Sequence, residues 1–418
     1  MPNLLRTYAS GFTSFSGNAR NFLLLTFLMS FAQSVFTLVF NLYILELGYD
    51  RDFLGVIGSI PGLTVAALAI PLAVFCAALS ARKALLASLG LGFAAMAGLA
   101  FFTGRGPLMF FSALLGASAA LLAITAMPLM ARSSSERERQ HLFSFQFAVA
   151  MTAAFAGNLV SGWLTSFWAA GFYGGGEGAQ AYRATMLAAC ALLLAAVPPA
   201  LRIREKRETA PGGGAAFASL PLGLTLLVLA PQLIIAFGAG MIMPFLNIFF
   251  KAGFDLPISS LGFFMALTPL AMAGGGLIGP WLVGRLGRVR AMIAFQSLSI
   301  PFLATMGFSG LLLPTVLATF ARTMLMNASW PVYSVFMLGY FPPGQHLAAS
   351  ALYTAGWNLA SAAAARLSGR LQMDFGFTLP FLITITCYSA ATLLLSRKFL
   401  KDDSKKPVVA TAIKEEAE

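Results

Sequence analysis

Read for the alternation of apolar and polar positions, the chain consists of long stretches with almost no polar face, separated by short polar turns. These stretches predict helices over residues 21–47, 53–79, 84–102, 107–131, 142–168, 182–201, 219–250, 258–283, 291–309, 312–340, 347–369 and 375–396. Apolar runs of about 18 residues or more are long enough to cross roughly 30 Å of hydrocarbon as a helix. No water reaches that layer, so a spanning segment has to satisfy its backbone groups internally, which a helix does. Helices of a soluble protein carry a polar face, and that face is missing here.

The pattern is also halved. Leu47-Gly48-Tyr49-Asp50 answers to Ala252-Gly253-Phe254-Asp255, and Leu54-Gly55 to Leu261-Gly262. Ser161-Gly162-Trp163-Leu164 answers to Ser368-Gly369-Arg370-Leu371, and Gln140-His141-Leu142 to Gln345-His346-Leu347. The offset stays near 205 residues, so a six-helix unit is repeated. The expected architecture is an all-α membrane protein with twelve transmembrane helices in two six-helix bundles. Its parts are a cytoplasmic leader over 1–20, bundles over 21–201 and 219–396, a linker over 202–218 and a charged tail over 397–418. Repeated bundles of this kind meet around a site near the membrane midplane, the geometry of a transporter.

Composition agrees. The chain is 58% hydrophobic and 10% charged, against about 25% charged in soluble domains. Charge then sets orientation. With the N-terminus inside, 20 of the 27 Lys and Arg fall on the inner side, among them Arg82, Lys83, Arg285, Arg288 and Arg290. The outer side keeps Arg51, Arg105, Arg183, Lys251 and Arg370. The positive-inside rule therefore places both termini in the cytoplasm, in the cell's inner (plasma) membrane. The formal charge of +12 needs no nucleic-acid partner, because its basic stretches are short and suit anionic membrane lipids. Cys76, Cys190 and Cys387 lie far apart in apolar spans, with neither a disulfide framework nor metal-ligand spacing.

The segment Gly284-Arg285-Leu286-Gly287-Arg288-Val289-Arg290 resembles the cytoplasmic loop D-R-x-G-R-[KR] of the major facilitator superfamily, with Gly284 in place of the aspartate. The first-half copy, Ala78-Leu79-Ser80-Ala81-Arg82-Lys83, keeps only the basic pair. Glu136-Arg137, Phe341-Pro342-Pro343, Asn158 and Gly162 are further partial matches, and the resemblance covers about residues 20–397. It implies the major facilitator fold, a cavity lined by the first, fourth, seventh and tenth helices, and a cytoplasmic gate at Arg82, Lys83, Arg285, Gly287 and Arg288. With the aspartates gone, only the cationic side of that latch survives.

Polar groups deep in the spans are the binding candidates, since each has to be paired or reach water. Arg322 sits about ten residues into the tenth helix, roughly 15 Å deep at 1.5 Å per residue, on a stripe with Met326, Ser329 and Tyr333. It matches the family pattern A-R-x-x-x-x-G, with Asn327 in place of the glycine. Two readings stand: an anchor for an anion or carbonyl in the cavity, or a structural arginine satisfied by backbone carbonyls. The first helix carries Gln33, Thr37 and Asn41 at helical spacing, and the seventh Gln232 and Asn247. Gln146, Tyr353, Trp357 and Asn358 complete the candidate substrate contacts. Amide stripes also serve ordinary helix pairing in membranes.

Absences narrow the function. Glu46, Asp50, Asp52, Asp255 and Asp374 are expected at outer helix ends, with every other acid cytoplasmic, so no carboxylate or histidine lies at depth. Coupling through an embedded carboxylate is thereby disfavoured, and uniport or exchange favoured. No phosphate-binding loop, nucleophile elbow or metal helix appears, so no enzyme, cofactor or metal is expected. The reading is a monomeric permease that moves a small-molecule substrate, organic and anionic or carbonyl-bearing, by alternating access. Its alternatives are a proton-coupled drug or metabolite exporter, and a non-transporting membrane sensor or assembly subunit.

Overall fold

The computed structural model describes residues 16–76, 81–132, 136–173, 176–203, 220–342 and 345–400. Most of the leader, nearly all of the linker, the tail beyond residue 400 and the Ala78–Ser80 part of the first basic motif lie outside these residues.

Twelve helical units follow in order, each within a few residues of its predicted span. In the first half they are α1 (Gly17–Glu46), α2 (Arg51–Cys76), α3 (Ala81–Phe101), α4 (Arg105–Arg132), α5 (Glu136–Phe172) and α6 (Ala179–Arg202). In the second they are α7 (Leu222–Phe254), α8 (Ile258–Leu286), α9 (Arg288–Phe308), α10 (Leu312–Leu338), α11 (His346–Phe375) and α12 (Thr378–Phe399). Among the described residues, ten helices are long and apolar enough to cross a membrane. The other two units are α10, which carries Arg322, and α11, diluted by Asn358, Arg366 and Arg370.

Local chemistry explains several boundaries. Ser16 caps α1 by accepting from the Ala19 N–H at 3.2 Å, and the Asp50 carboxylate does the same for Phe53 at 2.7 Å in front of α2, each satisfying an orphan donor of the first turn. Gly287 joins α8 to α9 at φ +85°, a conformation that disfavours any side chain. The glycine of the basic motif is therefore required by the tight turn itself. In α7 the sequence Met243-Pro244-Phe245 forms a 3-10 turn between two α-helical pieces, because proline lacks the N–H that would continue the ladder.

The halves pack on themselves and then on each other. Within the first half α1 packs on α5 and α6, and within the second α7 packs on α11 and α12. Between them, α2 lies against α11 and α5 against α8. The two packings are copies. Ser161 of α5 donates to the Val35 carbonyl of α1, and Ser368 of α11 donates to the Met241 carbonyl of α7.

Candidate functional site

The two halves meet closely at the end of the molecule opposite the linker, called here the distal end. At the centre of this meeting is an amide clamp. Asn41 Nδ2 of α1 donates to the Pro244 carbonyl at 2.6 Å and to Asn247 Oδ1 at 3.0 Å. Asn247 Nδ2 donates back to the Leu38 carbonyl at 2.8 Å. Leu38 and Asn41 are separated from Pro244 and Asn247 by the same repeat offset, so each helix offers one amide and one carbonyl to its own equivalent. The 3-10 turn of α7 makes this geometry available, since Asn247 Oδ1 also takes the Ile248 N–H at 3.0 Å. Both expected binding residues Asn41 and Asn247 are therefore brought together, as partners of one another.

Two backbone approaches flank the clamp. A Cβ on Gly369 of α11 would lie 2.5 Å from the Arg51 carbonyl oxygen and 2.7 Å from Gly55 Cα of α2. A Cβ on Gly162 of α5 would lie 2.6 Å from the Ile258 carbonyl oxygen and 3.1 Å from Gly262 Cα of α8. Only glycine lets the helices come this close, and the four glycines form two pairs related by the repeat. Asn158 adds a hydrogen bond from α5 to the Met265 carbonyl of α8, at 3.2 Å.

Charge closes the same end. Lys251 pairs with Glu177 at 2.5 Å, and the other oxygen of Glu177 accepts the Ile258 N–H at 2.9 Å, capping α8 from the opposite half. Asp52 of α2 pairs with Arg366 of α11. The expectation that Glu177 lies on the linker side is thus corrected: it belongs to the distal turn before α6. Sequence reasoning also passed over Arg366 and the gating role available to the glycine pairs. The glycines stood in plain view in the repeat, but nothing local signalled that they would touch.

Below the clamp, towards the linker, polar groups are left uncovered. Gln33 and Thr37 are exposed, while Asn41 on the same face of α1 touches the second half. Their stripe therefore continues the face of α1 that meets α7. On α11 the Asn358 carbonyl lies 3.1 Å from where a Gly62 Cβ would sit on α2, which places Asn358 at the contact between those two helices, with Thr354 exposed one turn further towards the linker. On α10, Asn327 is half-buried and Trp330 is 48% exposed, its indole N–H donating to the Tyr353 hydroxyl at 2.8 Å. Gln146 and Trp357 are half-buried.

Other predicted contacts are turned inward. Gln232, Ser329, Tyr333 and Tyr353 are buried, and Tyr333 gives its hydroxyl to the Val228 carbonyl of α7 at 2.6 Å. Arg322 is 5% exposed. Its guanidinium donates to the Tyr388 hydroxyl of α12 and, at 2.9 Å, to Met243 Sδ of α7, so it is directed at neighbours within its own half. At the linker end Arg82, Lys83 and Arg285 are exposed and Arg288 half-buried beside the Gly287 turn.

A twelve-helix membrane bundle with a repeat-related clamp across two halves is the architecture of a secondary transporter. The family model of the Major Facilitator Superfamily matches residues 22–235 and 229–417, and the chain belongs to that superfamily. No curated protein matches it by sequence. Among solved structures, a variant of the nucleoside transporter NupG is similar with a TM-score of 0.74 at 14% identity, over 91% of this chain and 100% of that one. A bacterial homologue of the human lysosomal transporter Spinster, inward-facing and occupied, gives 0.73 at 13% identity over 92% and 97%. A D-xylose-proton symporter gives 0.68 at 15% identity over 91% and 96%. The protein is accordingly a multi-pass membrane transporter with a small molecule as substrate.

Proposed function

We propose that the protein carries a small, hydrogen-bonding organic solute without net charge, carbonyl- or hydroxyl-bearing, by alternating access between two bundles divided at the 202–218 linker. The observation that carries this reading is the character of the polar groups below the clamp. They are amides, hydroxyls and an indole, from Gln33, Thr37, Asn327, Trp330, Thr354 and Asn358, and none of these carries a charge. Such groups orient a solute through its polar edges, while the indole covers an apolar face. Arg322, by contrast, is buried and engaged with Tyr388 and Met243.

The clamp, the glycine pairs and the ion pairs support a state closed at the distal end and open towards the linker. With both termini in the cytoplasm, as the distribution of basic residues favours, this state is inward-open and the protein works as a monomer by uniport or exchange. The basic residues Arg82, Lys83, Arg285 and Arg288 then form the gate that closes in the opposite state, with Gly287 as its turn.

A thermal-shift screen of the purified protein tests the substrate class. Neutral sugars, nucleosides and amides should include the stabilising solutes, and Gln33→Ala with Asn327→Ala should abolish the shift without lowering the unliganded Tm. Stabilisation confined to organic cations or dianions would overturn the proposed class.

A further inference from the structure

The break in α7 comes with an arginine. Met243-Pro244-Phe245 interrupts the helix where α7 reaches α1. By the repeat, the matching part of α1 runs unbroken from Gly17 to Glu46, and the stretch of α4 that answers to Arg322, Gly116-Ala117, carries no polar side chain. Break and arginine thus occur together, in the second half. The arginine is costly where it stands. It is 5% exposed, takes part in no ion pair among the described residues, and its acceptors are a phenol oxygen and a thioether, both neutral. Packing over the Tyr388 ring at 5.4 Å offsets some of that cost, but burying an unpaired cation costs more than such a contact returns.

What the guanidinium does from this position is bridge two helices. One end of its fork donates to the Tyr388 hydroxyl of α12, and the other to Met243 Sδ of α7 at 2.9 Å. Tyr388 is itself set against α7 ahead of the break: a Cβ on Gly238 would lie 3.2 Å from its ring. Thr384, one turn earlier on α12, donates to the Gly238 carbonyl at 2.8 Å. The intact part of α7 is therefore gripped by α12 directly, and the first residue of the break is gripped through Arg322. Just beyond Met243, Pro244 gives its carbonyl to Asn41 Nδ2 at 2.6 Å, and Asn247, one turn on, completes the clamp with α1.

We infer that Arg322 is a positioning residue for the distal clamp: from inside the second bundle it holds the start of the α7 break where the Pro244 carbonyl and Asn247 meet α1. The planar fork suits this task, because it presents its donors at a fixed separation and so ties two side chains on different helices, whereas a lysine ammonium is a point charge on a flexible stem. A thioether is a weak acceptor, so the Met243 end of the bridge is the one that yields when the halves part, while the phenol end stays on α12. The inference rests on the alternating-access reading and is independent of which solute is carried.

The test reads the distal-open population of the purified full-length protein in nanodiscs without solute, from pulsed dipolar distances between labels at the distal ends of α1 and α7. Arg322→Lys keeps the charge and loses the fork; Met243→Leu keeps the bulk and loses the acceptor. Both should raise the ratio of distal-open to distal-closed protein, Arg322→Lys by at least about fivefold, with the Tm of Met243→Leu near wild type. In an Asn41→Ala background both effects should shrink, because the clamp they serve is already broken. Should Arg322→Lys fail to fold, Met243→Leu and its cycle with Asn41→Ala still decide. If Asn41→Ala shifts the distances and neither Met243→Leu nor Arg322→Lys does, the positioning role is overturned and the two-state reading stands; if none of the three shifts them, both fall. Effects that simply add to that of Asn41→Ala, or a lower Tm with unchanged distances, mark an arginine that only packs helices and overturn the inference. Weaker solute binding with an unchanged solute-free distribution overturns it as well and returns Arg322 to the solute.

Discussion

Replacing Gly369 with alanine puts a methyl group where the two halves are closest. The added Cβ would sit 2.5 Å from the Arg51 carbonyl oxygen and 2.7 Å from Gly55 Cα, about 0.9 Å short of the 3.4 Å at which ordinary contact begins. Both obstacles are backbone, so no side chain can rotate away, and α2 and α11 have to separate. Overpacking of this kind costs about 1–3 kcal/mol. The cost falls only on the state closed at the distal end, because the approach is lost once the halves swing apart. The equilibrium should therefore move towards the distal-open state by roughly 5- to 150-fold. Gly162→Ala, at the repeat-related position, should do the same, and the pair together should add. Gly58→Ala on α2 is the control, since its Cβ would meet nothing within 4 Å. Spin labels at the distal ends of α1 and α7, read by pulsed dipolar spectroscopy in nanodiscs, report the population. An unchanged distance distribution in both variants, or an equal change in the control, would refute the glycine pairs as state-specific contacts.

Two further outcomes follow from the same end of the molecule. In the Asn41→Ala, Asn247→Ala double-mutant cycle, read as the distal-open population, the two substitutions should couple by about 1 kcal/mol, the scale of interhelical hydrogen bonds in membranes; strict additivity would show that the amides act separately. Glu177→Gln keeps an acceptor for the Ile258 N–H but loses the charge that holds Lys251, so it should open the distal end by about 1 kcal/mol or less, as partly exposed ion pairs do, and lose its effect in a Lys251→Met background. An effect that persists without Lys251 would show that the carboxylate acts through α8 alone.

Much of the architecture was legible in the sequence, because bilayer thickness and backbone satisfaction leave few options for apolar runs of this length. The repeat offset even contained the clamp, since Asn41 and Asn247 are equivalent positions on helices that face each other. Direction was harder to read. The depth of Arg322 follows from counting residues, but its orientation depends on Tyr388, 66 positions away, and no local pattern announces that partner. Tyr333 illustrates the same limit: it shares the Arg322 stripe yet spends its hydroxyl on the α7 backbone. Glu177 was misplaced because a single acid in a glycine-rich turn carries no helical period, and its role as a cap for α8 is set by the opposite half. Arg366 was passed over for a related reason, since its ion partner Asp52 lies on a helix 314 positions away.

The central claim is that a neutral solute crosses by movement of the two halves, without a titratable group at depth. Counterflow of the stabilising solute in proteoliposomes, with the pH gradient collapsed by an ionophore, tests it most directly. Sustained counterflow that is abolished by Gln33→Ala with Asn327→Ala is the predicted result. Loss of all flux on collapse of the gradient would contradict the account, with Glu46 at the end of α1 the first residue to suspect.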